Sequence, residues 1–230
     1  MAQLLNKPLA QIIKTEQMKR IFCFLLLGIL SLNLSAQDNK AKEILDKVSA
    51  KNKGYKSIMA EFTFSLDNEE EDIHEVSDGN IILKGNKYRL KLMGVDTYFD
   101  GTNIYSHIID ADEVNVSVPD EEEEESLNPA KIFSIYENGF TQKYVSEEKS
   151  GNTNFHIIDL FPLDTDKEFS YVRLKINTTT NQIESLKSVG KDGNNISILL
   201  KKLVPNIEFN DSDFVFDTKA NPDVEVNDMR

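Results

Sequence analysis

The sequence predicts a mainly β domain of the α+β class, with about eleven short antiparallel strands forming one large sheet and two helical stretches beside it. Three observations predict this. Apolar residues alternate with polar ones at period two in run after run. Tight-turn dipeptides stand between the runs. Helical spacing occurs in only two places in the exported part of the chain. With 40% apolar and 28% charged residues over 230 positions, the chain has the means to bury a core.

The first segment is an address. Met18-Lys19-Arg20 is followed by ten largely apolar residues, Ile21 to Leu30, and by the small-residue exit Ser31-Leu32-Asn33-Leu34-Ser35-Ala36. This is the pattern of a secretory signal peptide, with cleavage expected after Ala36. The apolar run is about half of the ~20 residues that a spanning helix needs. Met18, directly ahead of the basic pair, is the expected start, which makes residues 1–17 an upstream extension. Cys23 follows Ile21-Phe22, not a lipobox of small residues, so it is expected to leave with the signal. The expected product, 37–230, is a single domain without cysteine.

Its first element is an amphipathic helix. Ala41, Ile44, Leu45 and Val48 recur at i, i+3, i+4 and i+7, with Asp38 as the expected cap and Gly54 as the stop. From Ile58 the period changes to two: Ile58, Ala60, Phe62, Phe64 and Leu66 share one face. The alternation returns in Tyr88-Leu90-Leu92, Val114-Val116-Val118, Val172-Leu174-Ile176 and Ile196-Ile198-Leu200. Gly85-Asn86, Asp100-Gly101, Gly151-Asn152 and Asp192-Gly193 mark turns between them. One short helix interrupts the series. Asn128-Pro129 supplies its cap and first-turn proline, Asn138-Gly139 its stop, and Ile132, Phe133, Ile135 and Tyr136 make most of its surface apolar.

Eleven strands at ~4.8 Å spacing would span about 50 Å, and two helices of ~10 Å diameter cover less than half of that. The apolar face finds a partner if the twisted sheet curls into a full or partial barrel with the short helix across its mouth. Alternation alone leaves open whether such an interior is packed or hollow.

The composition excludes several functions. Against 26 Lys and Arg stand 39 Asp and Glu, a net charge of −13, which argues against work on nucleic acid or anionic membranes. The loss of Lys7, Lys14, Lys19 and Arg20 with the signal makes the remainder more acidic still. No nucleophile elbow or phosphate-binding glycine loop occurs. His74, His107 and His156 fall on three separate predicted elements. His107 with Asp110 and Asp112 is a weak metal set, and the acidic runs Glu69–Asp72 and Glu121–Glu125 lack the spaced ligands of a calcium loop. No cofactor, metal or enzymatic activity is expected.

Several stretches in shared order resemble the periplasmic outer-membrane lipoprotein carrier (LolA) family. Ile44-Leu45-Asp46-Lys47-Val48 with Tyr55-Lys56-Ser57-Ile58-Met59-Ala60-Glu61-Phe62 looks like the family's opening helix and first strand. Gly79-Asn80-Ile81-Ile82-Leu83-Lys84 before Lys87-Tyr88-Arg89-Leu90 is similar to its glycine-led strand and basic-aromatic hairpin. Phe99-Asp100-Gly101-Thr102-Asn103-Ile104-Tyr105 resembles its Asp-Gly turn, Asn128 to Phe133 its lid helix, and Phe214-Val215-Phe216-Asp217 with the tail to Arg230 its closing strand.

The resemblance implies a half-open barrel with a helical lid over an apolar cavity that takes lipoprotein acyl chains. Phe62, Phe64, Tyr88, Leu90, Leu92 and Ile104 would line it from the strands, and Ile132, Phe133 and Tyr136 from the lid. The implied partners are acylated lipoproteins, an inner-membrane lipoprotein-releasing ABC transporter and an outer-membrane acceptor, met by a monomer in the periplasm. One departure stands out. Many members carry arginine and proline after the strand's lysine, where the arginine ties the lid shut; here Gly85-Asn86 follow Lys84. Other readings are a periplasmic regulatory domain that binds a membrane protein and, on weaker grounds, a secreted hydrolase. Gln37, where an anchored acceptor would carry a lipid-modified cysteine, favours the soluble shuttle.

Overall fold

The computed structural model describes residues 38–119 and 132–230. The predicted signal peptide, Asn128-Pro129 and Glu121–Glu125 lie outside the described residues. The first described element, α1, spans 38–53. Ala41, Ile44, Leu45 and Val48 are its buried stripe, as their spacing predicts. Asp38, expected as the cap, is already helical. Gly54 does end the helix, its N–H donating to the Lys51 carbonyl over 3.1 Å.

Twelve strands follow: β1 Ile58–Asn68, β2 Ile73–Lys84, β3 Lys87–Leu92, β4 Val95–Phe99, β5 Ile104–Ile108, β6 Glu113–Ser117, β7 Phe140–Ser150, β8 Thr153–Pro162, β9 Phe169–Asn177, β10 Ile183–Gly190, β11 Asn195–Pro205 and β12 Glu225–Asp228. They form one sheet in the order β12-β6-β5-β4-β3-β2-β1-β11-β10-β9-β8-β7. The sheet is open, with β12 and β7 at its two ends. The expected eleven strands are thus twelve. The extra one is a short segment pairing parallel to β6, Val226 opposite Val114; its residues Glu-Val-Asn-Asp give no alternating signal from which to predict it. Apart from that pair the ladders are antiparallel. The four predicted turn dipeptides all sit between consecutive strands, and Gly85, Gly101, Gly151 and Gly193 there adopt positive φ, which glycine tolerates without a Cβ clash.

The register gives the sheet two unequal faces. Residues directly opposite one another share a face, so Ile58, Leu83, Tyr88, Phe99 and Ile104 form one row across β1 to β5. Ala60, Ile81 and Leu90 lie in the next row. This inner face is turned toward α1. Beneath the helix it is packed solid: Ile158, Leu160, Val172, Leu174 and Ile176 are fully buried in one cluster with Ala41, Leu45 and Val48.

The outer face of the other half is covered by the C-terminal segment. Phe216 packs on Tyr98 and Val114 in a second, smaller cluster, and its ring lies 4.9 Å from that of His107. His107 is therefore engaged by an aromatic ring. Among the described residues no group of three or more His, Cys, Asp or Glu is arranged to hold a metal, and no helix is long and apolar enough to cross a membrane.

The start of the predicted lid helix, residues 128–131, lies outside the described residues. From Ile132 the described chain is a turn followed by a single 3-10 turn, Ile135–Glu137, in which Ser134 makes no side-chain cap bond. The apolar residues still point inward, so the segment gains its stability from burial and not from helical length.

Candidate functional site

The site builds from the inner face at β3 and β4, whose residues are less deeply buried than those of β8 and β9. In β3 the alternation sends Tyr88, Leu90 and Leu92 inward and Lys87, Arg89 and Lys91 outward. All three inward residues are half-buried, in contrast to the sealed positions of β8 and β9. Val95, Thr97 and Phe99 continue the half-buried surface onto β4. The rings of Tyr88 and Phe99 sit 5.5 Å apart. Phe64, Leu200 and Leu203 extend it on the other side of β2.

The nine residues predicted for the site fall into three groups. Phe64, Leu90 and Leu92 are half-buried and pack against the main cluster. Phe62, Ile132, Phe133 and Tyr136 belong to that cluster and are buried within it. Tyr88 and Ile104 share the inner face but lie outside the cluster, Ile104 buried and Tyr88 half-buried. Phe62 owes its position to Gly79 in β2. A Cβ there would stand 2.5 Å from the tip of the Phe62 ring, so the glycine leaves the gap into which the ring lies.

The turn Ile132–Glu137 is held by polar groups of α1. Asn52 Nδ2 donates to the Phe133 carbonyl and to the Tyr136 hydroxyl, each at 3.1 Å. The Tyr136 hydroxyl in turn donates to the Phe133 carbonyl at 3.0 Å. Burial pushes the Tyr136 phenol up to about 12, so it stays neutral and keeps its proton for that bond. Ser49 Oγ donates to the Glu137 carboxylate at 2.6 Å, and Lys53 Nζ approaches it at 3.1 Å. The bond from Ser49, with Lys53 beside it, holds the Glu137 carboxyl below the usual range. A cleft of about 230 Å³ opens beside these groups, lined by Lys42, Leu45, Asp46, Tyr136, Phe140 and Gln142 among others.

None of Asn52, Ser49 or Glu137 stands out in the sequence. Their one signal is the i, i+3, i+4 spacing of Ser49, Asn52 and Lys53, which puts three polar groups on one stripe of α1. Lys84, at the position before the missing arginine, turns the other way. Its Nζ donates to the Phe209 carbonyl at 2.9 Å and to Asp211 at 3.0 Å, so it fastens the C-terminal segment on the outer face. Nearby, Asp96 is buried against Arg89 at 3.0 Å and Lys91 at 2.7 Å. Burial pushes its carboxyl up, but the hydrogen bonds from both cations outweigh this and leave it below the usual range. The arrangement can hold an apolar chain.

Comparison with known proteins identifies the family. The family model described as outer membrane lipoprotein carrier protein LolA matches residues 53–217. No curated protein sequence matches the chain. Among solved structures, a conserved protein from Thermus thermophilus aligns with a TM-score of 0.53 at 11% identity, covering 82% of this chain and 99% of that one. A LolA superfamily protein from Nitrosomonas europaea aligns with a TM-score of 0.42 at 10% identity, over 76% and 97% of the two chains. The lipoprotein LppX from Mycobacterium tuberculosis aligns with a TM-score of 0.44 at 13% identity, over 71% and 94%. The chain belongs to the outer membrane lipoprotein carrier protein LolA family.

Proposed function

We propose that this protein is a periplasmic carrier that shelters the acyl chains of lipoproteins in transit from the inner to the outer membrane. One observation carries the reading: the inner face of β3 and β4 presents a half-buried apolar surface, and its Leu90 and Leu92 pack against the same cluster that buries Ile132, Phe133 and Tyr136. Acyl chains lose about 0.8 kcal/mol for every methylene left in water, so a soluble carrier must supply such a surface. The contact must also be modest in strength, because a ligand moves on only if donor and acceptor affinities differ by a limited amount. A surface of side chains that are half-buried in the free protein meets both needs.

On this reading Phe64, Tyr88, Leu90 and Leu92 are the wall that meets the chain, Ile104 extends it, and Ile132, Phe133 and Tyr136 roof it. Phe62 braces the wall from below. The unit is a single domain, 37–230, exported by the signal ending at Ala36 and working as a monomer. It receives acylated lipoproteins from an inner-membrane ABC transporter and gives them to an outer-membrane acceptor. We assign it binding and no chemistry.

The test is extraction. The protein, mixed with inner-membrane vesicles loaded with a lipoprotein, is expected to bring that lipoprotein into solution as a one-to-one complex. Failure to bind any acylated ligand, in vesicles or free, would overturn the reading.

A further inference from the structure

The chain as a whole is acidic, but the outer face of β7 to β10 is not. The ladders place Lys143, Asp159, Arg173 and Lys187 in one row across these four strands, with Lys175 in the next row opposite Ile157. The paired outer positions thus hold four cations against two carboxylates, Asp159 and Glu148, in a chain of net charge −13. Asp159 is already engaged: it is buried and accepts two bonds from Arg173, at 2.7 and 2.8 Å. Lys175 lies over the Phe155 ring, 4.5 Å from its centroid. Lys143 and Lys187 are exposed and enter no ion pair among the described residues. On the adjacent β11 the cations are neutralised, Lys201 by Asp78 at 2.6 Å and Lys202 by Glu61 at 3.3 Å. Beside the basic row the rings of Phe161 and Tyr171 sit 5.8 Å apart, and Phe161 and Leu163 are exposed.

We propose that this face docks an acidic, extended segment of a partner protein. The row from Lys143 to Lys187 crosses three strand spacings, about 14 Å, which about five extended residues span. Carboxylates on one side of such a segment would meet Lys143, Arg173 and Lys187, and an apolar side chain would meet the Phe161–Tyr171 pair. Aromatic side chains and arginine carry much of the energy of protein interfaces, while exposed lysines set the rate and specificity of encounter. A bilayer is the poorer fit. Arg173 and Lys175 lie flat on the sheet, held by Asp159 and over Phe155, and do not reach out toward headgroups. A net charge of −13 also opposes approach to an anionic surface. The docking proposal stands apart from the carrier reading, because it uses the opposite face of the sheet.

The probe is a fluorescein-labelled polyglutamate peptide with one central phenylalanine, its binding followed by anisotropy. The unaltered protein is expected to bind it at low salt and to release it as salt rises past the physiological range, where exposed charges are screened beyond about 8 Å. Lys143→Glu with Lys187→Glu should weaken binding about tenfold or more, because each exposed ion pair is worth up to about fivefold and each reversal adds repulsion. Lys56→Glu with Lys219→Glu makes the same change in net charge away from this face and should weaken binding less than about twofold. Both variants should keep the circular dichroism of the unaltered protein and still bind the neutral dye phenylnaphthylamine on the inner face. A second measurement needs no variant: zero-length carbodiimide coupling should join the bound peptide to Lys143, Lys175 or Lys187. No binding by the unaltered protein, equal weakening by both pairs of reversals, or coupling mainly to lysines elsewhere would overturn the proposal. So would binding of phosphatidylglycerol vesicles without binding of the peptide, which points to a lipid surface. A dimer abolished by the Lys143 and Lys187 reversals would overturn it too, in favour of a second copy. Absence of dye binding in the unaltered protein would count against the carrier reading alone.

Discussion

The two halves of the sheet use the same alternating sequence pattern and bury it in opposite ways. From β8 to β10 the inner residues lie sealed beneath α1: Leu160, Val172 and Leu174 have no exposed surface. From β3 to β4 the inner residues are half-buried, and it is the outer face that is covered, by Phe216 packed on Tyr98 and Val114. One half is therefore sealed on its inside, while β3 and β4 keep their inner apolar residues half-buried and have a second, smaller cluster on their outside. The proposed binding surface would cost the fold little, because the second half takes packing from the C-terminal segment.

The contrast can be probed by mutation. Leu174→Ala, within the sealed half, should cost about 2–5 kcal/mol of unfolding free energy, because it removes a fully buried side chain and leaves a cavity. Denaturant titration measures it, and dye affinity per folded molecule should be unchanged. Gly79→Ala, between the halves, should cost about 1–3 kcal/mol by driving the Phe62 ring from its seat. The same change paired with Phe62→Leu should recover part of the loss.

In the open half, Leu90→Ala should cost only about 1 kcal/mol, since a half-buried side chain loses less by truncation, yet it should weaken dye binding where Leu174→Ala does not. A loss for Leu90→Ala as large as that for Leu174→Ala would make the two halves equivalent and remove the contrast. The smallest effect concerns pH. The folded pKa of Asp96 is depressed, so its contribution is complete above the pKa of an unfolded aspartate, about 3.9, and is lost as pH falls through the lower folded value. Acid unfolding followed below about pH 4 should be flatter in Asp96→Asn than in the unaltered protein.

Much of the fold could be read from the residues. Val172-Leu174-Ile176 and Ile58-Ala60-Phe62 gave strand and face correctly, because a one-residue slip would expose every apolar member. The helix stripe and the glycine turns followed for equally local reasons. The covering of the outer face did not follow. Val114 and Val116 alternate just as Leu90 and Leu92 do, and nothing local says that one pair meets the C-terminal segment while the other faces the interior. The twelfth strand pairs through backbone groups, which its side chains do not advertise. The apolar content of the turn was evident from Ile132, Phe133 and Tyr136, but its ties to Asn52 and Ser49 depend on where a distant helix comes to rest.

The most direct measurement of the central claim is to map where a bound chain lies. A diacylated lipopeptide carrying a photoreactive group at the end of one acyl chain can be bound, irradiated and located by peptide mass analysis. The account predicts attachment to residues of β3 and β4, Tyr88 to Phe99, and to the turn at Ile132–Tyr136, with none on β8 to β10. Attachment spread over β8 to β10, or confined to the outer face around Tyr98 and Phe216, would contradict it.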